Sequence, residues 1–273
     1  MKVLLRTWRT WAEAAGKASA NQSLAADRPV LDALSGRRAV VRWSSWTECS
    51  RQFDPWDENC PLHTGLVPLP FVGDVTRAKV YFLLLNPGLS ATDYYAEYEC
   101  SNFRQRLLTN LKQDFRRTDY PFFPLDPDCS WHSGNAFWQG KLKHILLQLS
   151  ERSGRTHAQV REFLAHNICA IEMLPYHSVR LDIQPHVLQQ FESVKLARAC
   201  VSELVAQAQA GRCLLVAMRK VDAWGIPLDC QHVLRFSGGQ ARGAHLSTKS
   251  DDAAGSRVVD FLLQHLVPRP GAD

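Results

Sequence analysis

Three observations predict an α/β protein with a short, mainly parallel sheet. Short apolar runs recur along the chain and end in turn residues. Segments with helical spacing of apolar residues separate them, and strands alternating with helices give a parallel sheet covered on both faces. The first run, Tyr81-Phe82-Leu83-Leu84-Leu85, stops at Asn86-Pro87-Gly88. Four core strands are expected, at residues 78–85, 168–174, 213–217 and 232–236.

The helices follow from spacing and composition. Leu4, Leu5, Trp8 and Trp11 share one face of an expected helix over 1–20. Asp27 before Pro29 suits the start of a second, over 29–42. Residues 43–77 hold many prolines, glycines and aromatics and read as irregular chain. Phe103, Leu107, Leu108, Leu111 and Phe115 predict a helix over 98–117. Further helices are expected over 135–151, 156–166, 185–209, 219–224 and 251–266.

The Asn86-Pro87-Gly88 turn carries the first functional signal. Pro87 fixes its own φ and pushes the residue before it out of the helical region. Asn86 is thereby held extended at the carboxyl end of a strand, where open α/β sheets bind ligands. Gly88 has no Cβ and lets a ligand approach its backbone. A second motif, Ser133-Gly134-Asn135-Ala136-Phe137-Trp138, lies downstream.

Composition narrows the class. Of the chain's 273 residues, 45% are hydrophobic and 22% charged, values of an ordinary globular protein. No run of about 18 apolar residues is present, so no membrane span is expected. The first residues lack a long apolar stretch and a small-residue cleavage site, which predicts a cytoplasmic location. The net charge of +5 permits a nucleic-acid partner without requiring one. None of the eight cysteines forms a C-x-x-C pair, and reduced thiols are expected.

An apolar strand ending in Asn86-Pro87-Gly88, followed by Gly134-Asn135-Ala136-Phe137-Trp138, resembles the uracil-DNA glycosylase superfamily, nearest its thymine- and mismatch-specific branch. The resemblance implies a three-layer α/β/α domain over 61–273, preceded by a helical and irregular extension over 1–60. It implies hydrolysis of the bond between a flipped base and its sugar, leaving an abasic site. The enzyme would act on DNA as a monomer, with no metal or organic cofactor; some superfamily members carry an iron–sulfur cluster, and the lack of close cysteine spacing argues against one here, although scattered ligands could still hold one.

The resemblance also assigns residues. Asn86 matches the asparagine that positions water. Asn135 matches the asparagine that contacts the flipped base, although it would also serve as a helix cap. His245, in Gly243-Ala244-His245-Leu246-Ser247-Thr248, would donate to the departing base, although the proline that usually follows this histidine is missing. Leu246 would wedge into the vacated stack. Gly88, Ser178, Ser247, Lys249 and Arg219 would grip phosphates, with Lys220 and Arg242 near the rim, and Tyr176 would stack on the base. Phe137 and Trp138 are expected in the core. Glu172, inside a strand, reads as a supporting carboxylate.

More residues separate Asn86 from Asn135 than in the compact thymine-type arrangement. The excess, residues 91–130, is expected to line the base pocket, with Asp93, Tyr94, Tyr95 and Glu97 binding sugar hydroxyls. That is similar to superfamily members of bacterial phage defence, which remove glucosylated hydroxymethylcytosine. Uracil or mismatch repair, a catalytically inactive nucleic-acid-binding module, and a nucleoside hydrolase are the alternatives.

Overall fold

The computed structural model describes residues 1–15, 21–35, 39–236, 246–250 and 253–266. Helix α1 (Lys2–Ala14) opens the chain, followed by α2 (Arg28–Ser35), β1 (Val40–Val41), α3 (Trp46–Gln52), β2 (Leu62–His63) and β3 (Phe71–Val72). Strand β4 (Val80–Leu84) then leads into α4 (Ala91–Glu99) and α5 (Ser101–Lys112). Next come α6 (Ser133–Ser153), α7 (His157–Asn167), β5 (Ile168–Glu172), α8 (Pro185–Leu188) and α9 (Glu192–Gln209). The last described elements are β6 (Leu214–Ala217), β7 (Val233–Arg235) and α10 (Ala254–Leu263).

The main sheet has the order β3-β5-β4-β6-β7. The four expected strands are all present, and β5, β4, β6 and β7 run parallel. The sheet nevertheless has five strands rather than four and is mixed, because β3 pairs antiparallel with β5. A two-residue edge strand is too short to show a period. Its backbone is bracketed instead by α5: Asn110 accepts from Gly73 N–H and donates to Phe71 O, at 2.9 and 2.8 Å. A separate parallel pair joins β1 to β2.

Successive side chains of a strand point to opposite faces. Phe82 of β4 meets Trp138 of α6, ring centroids 5.3 Å apart. Tyr81 faces the other way, toward Cys200 of α9, and donates its hydroxyl to Val75 O at 2.9 Å. Helix α6 packs on α7 and α10, while α1 packs on α5 and α9. Helices thus lie against both faces of the sheet. No described helix is long and apolar enough to cross a membrane.

Four expected helices differ from those observed. The one over 98–117 is two, α4 and α5, broken at Cys100, and it stops at Lys112 because Gln113 turns left-handed at φ 55°. The one over 29–42 ends at Ser35, and residues 40–41 pair as β1. The one over 185–209 is interrupted where Phe191 adopts extended backbone. Residues 221–224 form only a single 3₁₀ turn.

Buried Tyr176 ties the N-terminal segment to the sheet. Its hydroxyl donates to Asp27 Oδ2 at 2.7 Å and accepts from Leu24 N–H at 3.1 Å. Asp27 Oδ1 in turn accepts from Ser193 N–H at 3.1 Å, at the start of α9. Leu4, Trp8 and Ala12 of α1 join the same hydrophobic cluster as the strands. Tyr176→Phe strips a buried carboxylate of its hydroxyl donor and is expected to cost about 1–3 kcal/mol. Urea denaturation measures this, and an unchanged midpoint would show that the contact does not hold the segment.

Candidate functional site

β4 is the first of the parallel strands of the main sheet. The next, β5, lies on one side of it and β6 on the other. That reversal leaves a crevice at the carboxyl ends of the strands, the usual ligand position in open α/β sheets. A cavity of about 580 Å³ occupies it. The turn after β4, the segment after β5, the turn after β6 and the first turn of α6 all contribute to its wall. Its size falls within the range of roughly 300–1,000 Å³ for small-ligand sites.

Asn86 stands in this wall with its amide nitrogen fully engaged. Nδ2 donates to Pro87 O at 2.8 Å, Ser178 Oγ at 2.9 Å and Tyr176 O at 3.3 Å. Carbonyl oxygens only accept, so the amide orientation is determined and Oδ1 is the group left to receive a hydrogen bond. The strand ends that carry this arrangement are laced together, Met173 N–H to Leu84 O and Leu174 N–H to Leu85 O. A Cβ on Gly88 would meet nothing within 4 Å, which leaves open space beside its backbone.

Asn135 lines the same cavity and is buried, with Nδ2 donating to Pro124 O at 2.8 Å. It is not the cap of α6. That position belongs to His132, whose Nδ1 accepts from Gly134 N–H at 3.1 Å. An Nδ1 that accepts carries no proton, so the neutral ring bears its proton on Nε2. His132 Nε2 lies 3.2 Å from Asp93 Oδ1. Asp93 Oδ2 accepts from Ser90 N–H at 2.6 Å and closes the capping box of α4. Burial alone would raise the Asp93 carboxyl; His132, His177 and the Ser90 N–H outweigh it and hold the group below its ordinary value of 3.8.

Two further groups line the cavity: His177, to which the sequence assigned no role, and Glu172, expected only as a supporting carboxylate. His177 Nδ1 bonds Gly88 O at 2.9 Å and so must carry the proton, while Nε2 is buried with no hydrogen-bond partner among the described residues. Glu172, at the end of β5, is 7% exposed and its Oε2 likewise has no partner among them. Burial pushes the Glu172 carboxyl up to about 8, against a smaller opposing pull from Arg219. The signal for both was present as polar residues at a strand's carboxyl end, but a sequence does not show which atoms go unpaired.

The remaining expected site residues divide. Ser178, Arg219, Lys220, Asp93 and Glu97 line the cavity. Ser178 is 1% exposed and its hydroxyl is engaged by Asn86, so it is placed to position that amide rather than to meet a phosphate. Glu97 accepts from Val67 N–H and Arg104. Tyr94 and Tyr95 are not in the wall. Tyr94 is buried beside Cys49 and Leu66 with its hydroxyl 3.1 Å from His63 Nδ1, and Tyr95 faces out against Trp46 and Trp131. The capping box sets α4 so that residues 93 and 97, one turn apart, share the inner face.

Tyr176 is likewise outside the cavity, held under the N-terminal segment, and cannot stack on a base there. Leu246 is 3% exposed and sits in the hydrophobic core, which rules it out as a wedge in this arrangement. The backbone at 246–247 is packed on Gly255, where a Cβ would come within 2.4 Å of Ser247 O. Ser247 and Lys249 lie outside the cavity wall. His245 and Arg242 fall outside the described residues. Phe137, expected in the core, is 43% exposed at the cavity mouth with Lys141 Nζ 5.5 Å from its ring centroid, whereas Trp138 is buried.

Asp93→Ala leaves Ser90 N–H and the His132 Nε2 side without their acceptor and should cost about 1–3 kcal/mol at neutral pH. A carboxyl with a depressed folded pKa stabilises above its unfolded pKa, and that contribution disappears as pH falls through the folded value. The difference between wild type and variant should therefore shrink in acid. Denaturation midpoints across pH check it, and a constant difference would contradict the pairing.

Comparison with protein-family models, curated proteins and solved structures finds no match to this chain, and the functional reading rests on its motifs and cavity geometry.

Proposed function

We propose that the protein is a monofunctional DNA glycosylase. The observation that carries the reading is the orientation of Asn86. Three acceptors hold its nitrogen and leave its oxygen to take a hydrogen bond from an attacking water, at the edge of a cavity able to enclose a base. An amide is a weak base, so such a site would work by positioning and by stabilising the departing base. Asn135 offers an acceptor to the base edge. The first turn of α6 contributes a positive dipole end where negative charge would gather.

The mouth suits a nucleic acid. Arg180, Arg219 and Lys220 bring positive charge to the rim, and exposed Phe137 and Val179 present apolar surface beside it. In place of Leu246, these two are the apolar groups positioned to fill the gap left by a flipped base.

For the substrate we favour a base with a bulky polar 5-substituent, such as glucosylated hydroxymethylcytosine, which would make the enzyme an antiviral one. The segment from Leu89 to Asn135 supplies much of the cavity wall and extends it beyond Asn86. Its hydroxyls cluster: Ser90 Oγ lies 2.6 Å from Thr92 Oγ1 and 2.8 Å from Ser133 Oγ. With Asp93 and Glu97 they can satisfy sugar hydroxyls that would otherwise be buried unpaired.

Asn86→Ala is expected to lower the single-turnover rate of base release about 10²–10³-fold, the loss typical of one well-placed polar group, with DNA affinity nearly unchanged. Mass spectrometry of bases released from glucosylated, hydroxymethylated and unmodified phage DNA, and from uracil-containing DNA, tests both activity and substrate. Release of uracil with none from glucosylated DNA would place the enzyme in ordinary repair.

DNA binding should weaken with salt at a log–log slope of about −3, for three rim cations meeting three phosphates. A flat response would remove DNA as the partner.

A further inference from the structure

We infer that Glu172 is a proton donor to the departing base, and that the base is of the cytosine type, with acceptors at both N3 and O2. The inference rests on the glycosylase reading and adds the group that Asn86 cannot supply.

β5 and β4 are adjacent and parallel, and Glu172 pairs with Leu84 in the strand register, two residues before Asn86. The carboxyl and the amide thus project from neighbouring strand ends into one cavity. Glu172 is a carboxyl in a nearly closed wall whose Oε2 has no hydrogen-bond partner among the described residues. An ionised carboxylate in that setting is costly, whereas a carboxylic acid supplies one O–H donor and keeps acceptor capacity.

The charges around it do not reverse this. The titratable or charged groups on the same wall are Arg219 and Lys220 after β6, His177 and Arg180 after β5, Asp93 and Glu97 on α4, and Cys129 and His132 ahead of α6. Of these Arg219 acts on Glu172, and its pull is smaller than the effect of burial, which leaves the carboxyl near 8 and protonated at neutral pH. An acid of that strength is suited to give up its proton in a transition state near neutrality.

The step balances. The Glu172 proton passes to N3 or O2 of the base as the C1′–N1 bond breaks and its electron pair leaves with the base. The water held at Asn86 bonds to C1′ and releases a proton to solvent, from which Glu172 is reprotonated. A uracil-type base carries a hydrogen at N3, so it presents the acid with one acceptor fewer on that edge.

The test is single-turnover base release by the full chain, from about pH 5 to about pH 10. The substrates are phage DNA bearing glucosylated hydroxymethylcytosine and a uracil-containing duplex. The wild-type rate on the cytosine-type base should be level at low pH and fall as pH rises through about 8, because the acid form is the active one. Glu172→Gln, which keeps a donor but has no transferable proton, should be slower by about 10²-fold and lose the alkaline decline, with DNA affinity unchanged.

A second readout needs no catalysis. A buried acid whose folded pKa is raised stabilises below its unfolded value and loses that contribution as pH rises through the folded one. The stability difference between wild type and E172Q should therefore fall between pH 4.5 and about 8, and taking the difference cancels Glu97, also raised by burial to about 8, and His63, lowered by burial to about 3. Wild type that releases no base from either DNA sinks the glycosylase reading. Active wild type with no alkaline decline, or E172Q that keeps both the rate and the pH dependence of stability of wild type, sinks the role of Glu172 alone.

Discussion

The three acceptors around Asn86 Nδ2 are the contact on which the rest of the site depends. They come from two chain segments, Pro87 in the asparagine's own turn and Tyr176 and Ser178 beyond β5. An amide so held keeps its oxygen in one direction without a ligand to order it. The same segments are joined by backbone bonds past the formal strand ends, including Ser178 N–H to Pro87 O at 3.3 Å. The site is preorganised because the sheet continues into it.

Tyr176 connects that contact to the remainder of the molecule. Its carbonyl accepts from Asn86, while its ring is buried and its hydroxyl reaches Asp27 and Leu24. One residue therefore couples the cavity to the N-terminal segment, and through Asp27 to the start of α9. The first helix shares the core of the sheet rather than forming a core of its own.

The cavity sets groups of opposite character close together. Asp93 is held ionised by His132, His177 and Ser90, whereas Glu172 is held protonated by burial with little to oppose it. Two carboxyls in one cavity thus differ in state at neutral pH because donors and histidines surround Asp93, whereas burial dominates at Glu172, whose Oε2 has no partner among the described residues. Such a division separates groups that can bind a polar substituent from a group that can give up a proton.

The sequence by itself determined the α/β class, the four parallel strands and the place of Asn86, because each depends on local rules: apolar runs, turn residues, and a proline that restricts the residue before it. It also pointed to Ser178 and Arg219, whose neighbourhood follows from parallel strands bringing their carboxyl ends together, and to Asn135 through its motif at the start of α6. Tertiary structure decided what local rules do not reach. The edge strand Phe71–Val72 is too short to have a period and exists through pairing with β5. The capping box of α4 turned Asp93 and Glu97 inward and left Tyr94 and Tyr95 outside the cavity. Packing took Leu246 and Tyr176 into the interior. How deeply Glu172 is buried depends on residues far apart in the chain, and that burial is what pushes its carboxyl up to about 8.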